Sequence, residues 1–271
     1  MVNPIKKWKL NELGCVVDEL DSTICDKVNG SNLEFAYDYK SLLFFMAGKS
    51  VVTMKEILCL VQCGYPEGAL SLARNLYEQF VIAEFFHTHK ADDNFQDYID
   101  DFFADYEIQR NKLLLFSTEY VENDIAAKQQ IEQYIAEIRA NAHIKKKGTY
   151  WWADKGTFSD MVIDLIERQT DPAFKKFMAM YHAMYKRACV SLHASCAGNM
   201  LRLGDNSEFC GVDNRPRENG HSVPLLLGVY SFLHVTGVVC EEFGIDATKW
   251  QQRLYDLLIY YNSLLEGDKN A

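Results

Sequence analysis

The sequence is poor in the residues and patterns that mark strand-rich proteins. Only five prolines occur among its 271 residues, and strict alternation of apolar and polar residues is hard to find. Apolar residues spaced i, i+3 and i+4 are frequent instead, which indicates amphipathic helices. We therefore predict an all-α fold, in which residues 1–271 form a single domain, a bundle of roughly nine or ten helices.

Positive charge is also in short supply. Lys and Arg number 28 against 38 Asp and Glu, which gives a net charge of −10. The protein as a whole therefore does not attract nucleic acid or anionic lipid, and any contact with RNA requires a local basic patch. The longest apolar run, residues 223–239, contains Ser231 and His234 and is shorter than the usual ~20-residue membrane span. We expect it to form a buried helix and expect no membrane contact.

Cysteines are present but lack the spacing of a metal or redox motif. The eight cysteines include no C-x-x-C, and residues 1–14 lack the uninterrupted apolar core of a signal peptide. These features predict reduced thiols and a cytoplasmic protein. The helix predicted at 171–201 carries two histidines and two cysteines, but ligands far apart on one rigid helix rarely converge on one zinc ion. We expect no metal and no cofactor.

The most informative stretch is the helix predicted at 66–88, which is apolar nearly all round. Pro66 suits the first turn of a helix, where its missing N–H costs nothing. Arg74 and Glu78 lie four positions apart and share a face. Because a buried charge must be paired or hydrogen-bonded, two interpretations stay open: an ion pair that fixes how neighbouring helices dock, or a functional site.

Turn-forming residues set the other predicted boundaries. Ser31 or Asn32 is expected to cap the second helix, and Gly48 predicts a break before the third. A polar helix at 121–142 predicts an exposed arm. The polar segment 204–222 is longer than an ordinary connection, which predicts a lid or a loop that binds a protein partner.

Acidic residues are concentrated in a long helix predicted at 91–119. They are Asp92, Asp93, Asp97, Asp100, Asp101, Asp105 and Glu107. Carboxylates can hold a metal ion, but a solvated acidic face beside an aromatic core face is the commoner arrangement, and it is our prediction here.

One stretch, residues 143–152, combines basic and aromatic residues. Cations beside stacking aromatic rings are the means by which proteins hold single strands. The candidate RNA-binding residues are Lys145, Lys146, Lys147 and Trp151. The alternative is a capped helix end, with lysine facing the C-terminal dipole and the aromatic rings packed back.

Arg187 and His193 are separated by five residues on the helix predicted at 171–201. This spacing resembles the loose motif of the helical HEPN ribonucleases, in which His handles the proton of a 2′-hydroxyl or leaving oxygen and Arg stabilises charge on the phosphorane. The chemistry needs no metal. Because an ideal helix holds the two side chains far apart, the interpretation requires a local distortion or a dimer partner. The alternative is a core His193 and a solvated Arg187.

Two segments together carry a more specific pattern. Residues 64–78 read GYPEGALSLARNLYE, and further along the chain comes Tyr185-x-x-x-Cys189-x-x-x-His193-x-Ser195. They resemble a bacterial all-helical family classed as a domain of unknown function, which pairs a G…A..L.R.L.E helix with a Y…S…H.S helix.

The resemblance spans roughly residues 40–200 and implies a fold rather than an activity. The positions that match the pattern are Arg74, Glu78, Tyr185 and His193. Cys189 stands where the pattern has serine. The similarity of that family to HEPN-type bundles is weaker and implies a HEPN-like core by analogy.

We predict one polar pocket that gathers these side chains in an otherwise apolar bundle. The predicted catalytic residues are His193, Arg187, Arg74 and Glu78, with Arg187 at the rim, and the predicted ligand-binding residues are Tyr185 and Cys189. An arginine there would clamp a phosphate or carboxylate, and a histidine would give or take a proton.

The predicted function is that of a cytosolic helical protein in a toxin or phage-defence system. It would be either a metal-independent HEPN-like endoribonuclease or a component that binds a nucleotide or phosphate. The alternative is a non-enzymatic interaction or scaffold protein, whose buried polar cluster fixes packing and whose partner binds at 204–222. Both classes are compatible with an oligomer.

Overall fold

The computed structural model describes residues 7–30, 36–122, 124–192 and 220–268. Within these ranges the chain forms nine α-helices, one π-helical turn and one 3₁₀ turn, and it contains no strand. The helices are α1 (Leu10–Asn29), α2 (Tyr39–Gln62), α3 (Pro66–His89), α4 (Phe95–Ser117), α5 (Ile125–Asn141), α6 (Phe158–Arg168), α7 (Pro172–Leu192), α8 (Ser222–Glu242) and α9 (Thr248–Asp268). The all-α prediction is confirmed.

The chain divides into two compact units. The first unit comprises the described residues of Met1–Glu34, Leu43–Glu84 and Gln169–Ala271, and the second those of Phe35–Leu42 and Phe85–Arg168. The prediction of a single domain stays a prediction.

The core of the first unit contains α8, which is buried along most of its length. In the described part of the chain, α8 is the one helix long and apolar enough to cross a membrane by composition, and 78% of its most apolar window is buried inside the protein. A Cβ at Gly228 would lie 3.2 Å from Ile57 of α2, so glycine allows these two helices to approach closely. Packing within the unit therefore accounts for the apolar composition of α8.

A polar clamp joins α1 to α9 in the same unit. The Glu19 carboxylate accepts hydrogen bonds from Arg253 Nη1 and Trp250 Nε1, both at 2.9 Å. These two bonds, that of Arg253 first, lower the pKa of Glu19 to about 2. The Tyr261 hydroxyl donates to the Trp8 carbonyl oxygen at 2.8 Å and adds a second tie.

Aromatic rings form the core of the second unit. Trp152, from the 3₁₀ turn Trp151–Ala153, stacks on Phe86 with ring centroids 5.4 Å apart and meets Phe102 edge to face at 4.7 Å. The Trp151 Nε1–H donates to Asp105 Oδ1 at 2.6 Å. Buried aromatic pairs of this kind add stability beyond the area that they bury.

Helix α5 packs beside α4 and has no buried residue, so it is exposed as the sequence predicts. Asp124 caps it by accepting a hydrogen bond from the Ala127 N–H at 3.0 Å. The π-helical turn Thr118–Glu122 precedes it. The prediction of an exposed arm is confirmed.

The predicted break at Gly48 is wrong. Gly48 lies inside α2 and causes no break, because a single helical glycine costs only about 1 kcal/mol relative to alanine. Helix α2 begins at Tyr39, and the Asp38 carboxylate caps it by accepting from the Ser41 N–H at 2.8 Å. The predicted caps at 31–32 lie outside the described residues.

The solvated acidic face of α4 is also predicted incorrectly at two positions. Asp101 is buried, with 1% of its surface exposed, and Asp105 binds the Trp151 indole. Asp101 and Asp105 accept hydrogen bonds from residues more than forty positions later in the sequence. The local periodicity of the helix does not reveal such contacts. The partner-binding role of the 204–222 loop stays a prediction, because 204–219 lie outside the described residues.

Candidate functional site

Four of the predicted site residues come together in the first unit. Arg74 and Glu78 lie one turn apart on α3, and Tyr185 and Cys189 lie one turn apart on α7. Spacing of i and i+4 puts each pair on one face of its helix, and contacts between the side chains join the two faces. We call these four residues the Arg74 cluster.

The geometry of the Arg74 cluster fixes the guanidinium group. Arg74 Nη2 lies 2.8 Å from Glu78 Oε1, and the Tyr185 hydroxyl donates to the same oxygen at 2.7 Å. Arg74 Nε donates to Cys189 Sγ at 3.0 Å. The Arg74 side chain is nevertheless 30% exposed and that of Glu78 25% exposed. The cluster is therefore an oriented ion pair at the surface of the unit.

Electrostatics keep both donors of the cluster protonated. Burial lowers the pKa of Arg74, but the hydrogen bond to Cys189 and the charge of Glu78 outweigh burial, so the pKa is raised on balance. Burial, followed by the hydrogen bond to Glu78, raises the pKa of Tyr185. At neutral pH the cluster thus offers a guanidinium and a phenolic O–H.

An aromatic stack backs the cluster. The ring centroids of Tyr77 and Tyr185 are 5.1 Å apart, and the His182 ring stacks on both, at 6.1 and 5.6 Å. His182 shares a helical stripe with Tyr185 and Cys189, which the spacing of three and four positions on α7 indicates. No sequence signal singles out Tyr77, because it is one of several aromatic residues on α3.

We expect the imidazole of His182 to titrate near pH 4. Burial, assisted by the charge of Lys186, lowers its pKa from 6.5 to about 4. The unfolded chain therefore takes up the proton first, so the stability due to neutral His182 is complete above pH 6.5 and is lost as the pH falls toward 4. Imidazole chemical shifts measured by NMR against pH check this. A midpoint that stays near 6.5 in the folded protein would contradict it.

Arg187 is not part of the cluster. It is exposed on α7 and lies two positions from both Tyr185 and Cys189, a spacing that turns a helical side chain to the other face. The predicted place of Arg187 at the rim is therefore corrected. His193 lies outside the described residues, so its catalytic role and its pairing with Arg187 stay predictions.

The basic stretch agrees better with a capped helix end than with a stacking surface. Lys145 Nζ donates to the carbonyl oxygens of Ala140 and Ala142 at the end of α5, where a cation also meets the helix dipole favourably. Trp151 is fully buried, so its ring has no face open to a base. We therefore withdraw the predicted stacking role of Trp151, whereas Lys145 and its neighbours keep their charges near the surface.

Metal binding has no support in the part of the chain that the structure covers. No group of three or more His, Cys, Asp or Glu residues there could hold a metal ion. Because His193 and Cys196 lie outside those ranges, the absence of metal stays an expectation.

The fold defines an all-α protein in which α3 and α7 carry a polar cluster. The chain belongs to a family of unknown function (DUF5677), whose model matches residues 40–209. The match contains the whole Arg74 cluster and confirms the resemblance to a domain-of-unknown-function family, but it does not show similarity to HEPN ribonucleases. No curated protein and no solved structure matches the chain.

Proposed function

We propose that the Arg74 cluster binds a phosphate group of RNA and that the protein is a metal-independent endoribonuclease. One observation carries the proposal: the Arg74 guanidinium is held by Glu78 and Cys189 and still has 30% of its side chain exposed. Its Nη1 donates only a long bond, of 3.4 Å, to Asn75 Oδ1. An arginine with a fixed orientation and a partly exposed side chain is suited to phosphate, because its planar fork matches two phosphate oxygens.

The chemistry assigned to the cluster needs two proton transfers. The 2′-hydroxyl oxygen attacks the adjacent phosphorus while the P–O5′ bond breaks, which leaves a 2′,3′-cyclic phosphate and a 5′-hydroxyl end. Glu78 takes the 2′ proton, and Arg74 stabilises the charge that develops on the phosphorane oxygens. Tyr185 orients Glu78 through their 2.7 Å hydrogen bond. The proton for the leaving oxygen is assigned to His193 from the sequence alone.

This proposal extends to the cellular setting that the sequence predicts. A cytoplasmic, metal-independent endoribonuclease would act in a toxin or phage-defence system, where cleavage of RNA stops growth or phage replication. A free nucleotide or phosphate is the smaller ligand that the same guanidinium would accept. These settings follow from the proposed chemistry and from the sequence pattern.

The test is cleavage of a labelled single-stranded RNA by the purified protein with EDTA present. We expect cleavage by the wild type, 2′,3′-cyclic phosphate on the products, and about tenfold slower cleavage by Tyr185→Phe because Glu78 loses its orienting donor. His193→Ala, checked for folding by circular dichroism, tests the second proton transfer. A folded wild type that cleaves no RNA would contradict the proposal.

A second function is favoured by the same contacts. Glu78 accepts from both Arg74 and Tyr185, so the cluster satisfies its own hydrogen bonds, as expected of an ion pair that fixes the docking of α3 on α7 in an interaction or scaffold protein. In that case no RNA is cleaved, and Tyr185→Phe lowers only the free energy of unfolding.

A further inference from the structure

The loop after α5 is attached to the rest of the second unit by hydrogen bonds at its start and by a close backbone approach near its end. The buried Asp101 carboxylate accepts the backbone N–H groups of His143 at 3.0 Å and Ile144 at 2.7 Å. Gly148 has a φ of +133°, and a Cβ there would lie 2.5 Å from the Gly156 carbonyl oxygen. The conformation of the loop therefore requires glycine at position 148.

The loop and the last turn of α5 together place four cations around one cleft. The cleft has a volume of about 330 Å³, and it is lined by Arg139, Ile144, Lys145, Lys146, Lys147 and Gly148. Three of the cations have defined positions. Lys145 is bonded to the end of α5, Lys146 Nζ donates to the Asp154 carbonyl oxygen at 2.8 Å, and Arg139 lies 4.1 Å from the Trp151 ring centroid.

The cleft has a net positive charge, unlike a larger cavity in the same unit. The Asp154 carboxylate, 3.7 Å from Lys146 Nζ, is exposed and offsets one of the four positive charges. A larger cavity of about 610 Å³ in the same unit has acidic and aromatic walls, including Asp100, Glu107 and Tyr134. That cavity repels anions. An anion is therefore drawn to the cleft and not to the larger cavity of the same unit.

We propose that this cleft binds the phosphate backbone of single-stranded RNA. The identity of the ligand rests on the proposed function, whereas the preference for phosphate rests on the four cations. Because Trp151 is buried, its ring does not stack on a base, and the contribution of the four cations, which acts through charge, is independent of base sequence. The cleft thus supplies affinity for RNA without preference for sequence.

The test compares Lys147→Gln with Lys112→Gln. Both lysines are exposed and lie in the second unit, but Lys112 is on α4 and is not part of the cleft. Binding of a fluorescein-labelled single-stranded RNA is measured by fluorescence anisotropy at several salt concentrations. For Lys147→Gln we expect about fivefold weaker binding at 0.1 M salt and a salt slope smaller by about 0.7, the loss of one phosphate contact. Lys112→Gln should bind like the wild type.

The outcomes separate this inference from the proposed function. If Lys147→Gln and Lys112→Gln bind RNA with equal affinity, the cleft does not bind RNA, whether or not the wild type cleaves it. If Lys147→Gln binds RNA more weakly and the wild type cleaves no RNA, the result supports RNA binding by the cleft and contradicts only the proposed endoribonuclease activity. ATP is the second probe: if Lys147→Gln weakens ATP binding and leaves RNA binding unchanged, the ligand is a nucleotide and RNA is the wrong choice.

Discussion

Replacing Arg74 with glutamine is expected to lower kcat/KM for RNA cleavage by about 10²–10³-fold, the effect of removing one preorganised donor to a developing oxyanion. The guanidinium is oriented in advance by Glu78 and Cys189, so its charge acts without reorganisation at the moment of reaction. Initial rates at several RNA concentrations, with EDTA present, measure the effect.

The matched control is Arg253→Gln. Arg253 is also a partly buried arginine of the first unit, 26% exposed and 2.9 Å from the Glu19 carboxylate. The substitution removes the same charge and the same kind of ion pair away from the cluster. We expect Arg253→Gln to retain wild-type kcat/KM. Equal losses of activity in the two variants would show that the effect comes from stability and not from the site.

Replacing Asp101 with alanine is expected to lower the free energy of unfolding by about 4 kcal/mol. Two backbone N–H groups, those of His143 and Ile144, lose a charged acceptor, and each such bond contributes about 1.5–3 kcal/mol. Urea denaturation followed by circular dichroism measures the change. The variant should also bind RNA less tightly, because the loop after α5, which carries Lys145, Lys146 and Lys147, loses its anchor.

Asp100→Ala provides the comparison for this prediction. Asp100 precedes Asp101 on α4 and is exposed. It accepts a hydrogen bond from the Gln96 amide at 2.8 Å and meets the loop only through a solvent-exposed contact of 3.8 Å to His143 Nε2. Exposed polar contacts of this kind contribute about 0.5 kcal/mol or less. Similar costs for the two substitutions would contradict the role of Asp101 as the anchor of the loop.

The local sequence pattern predicts the helices, and it predicts which residues of the site share a face of the same helix. The face shared by Arg74 and Glu78 follows from their spacing alone, and so does the stripe of Tyr185 and Cys189 on the second helix. That the two faces meet depends on how α3 packs against α7, which the family resemblance implies and helical periodicity does not.

Residues whose partners are distant in sequence are predicted less well. Asp100 and Asp101 are adjacent acidic residues with the same local pattern. Asp100 is exposed and reaches the loop only by a long contact of 3.8 Å to His143 Nε2, whereas Asp101 is buried and accepts two backbone N–H groups of that loop, more than forty residues away. Trp151 likewise follows three lysines, as in a single-strand-binding surface, and is buried against Asp105. In both cases the deciding contact is tertiary, so the spacing of apolar and charged residues does not reveal it.

The central claim, that the Arg74 cluster is a ligand site, is tested most directly by binding of a 2′-O-methyl dinucleotide with one phosphodiester, which cannot be cleaved. NMR titrations of the wild type, Arg74→Gln and Glu78→Gln give the Kd values. We predict that Arg74→Gln loses saturable binding at the Arg74 cluster, read from the signals of residues on α3 and α7, and that Glu78→Gln binds there more tightly, because the carboxylate that competes for the guanidinium is gone. Unchanged Kd values in both variants, with a lower free energy of unfolding in each, would show that the ion pair is purely structural.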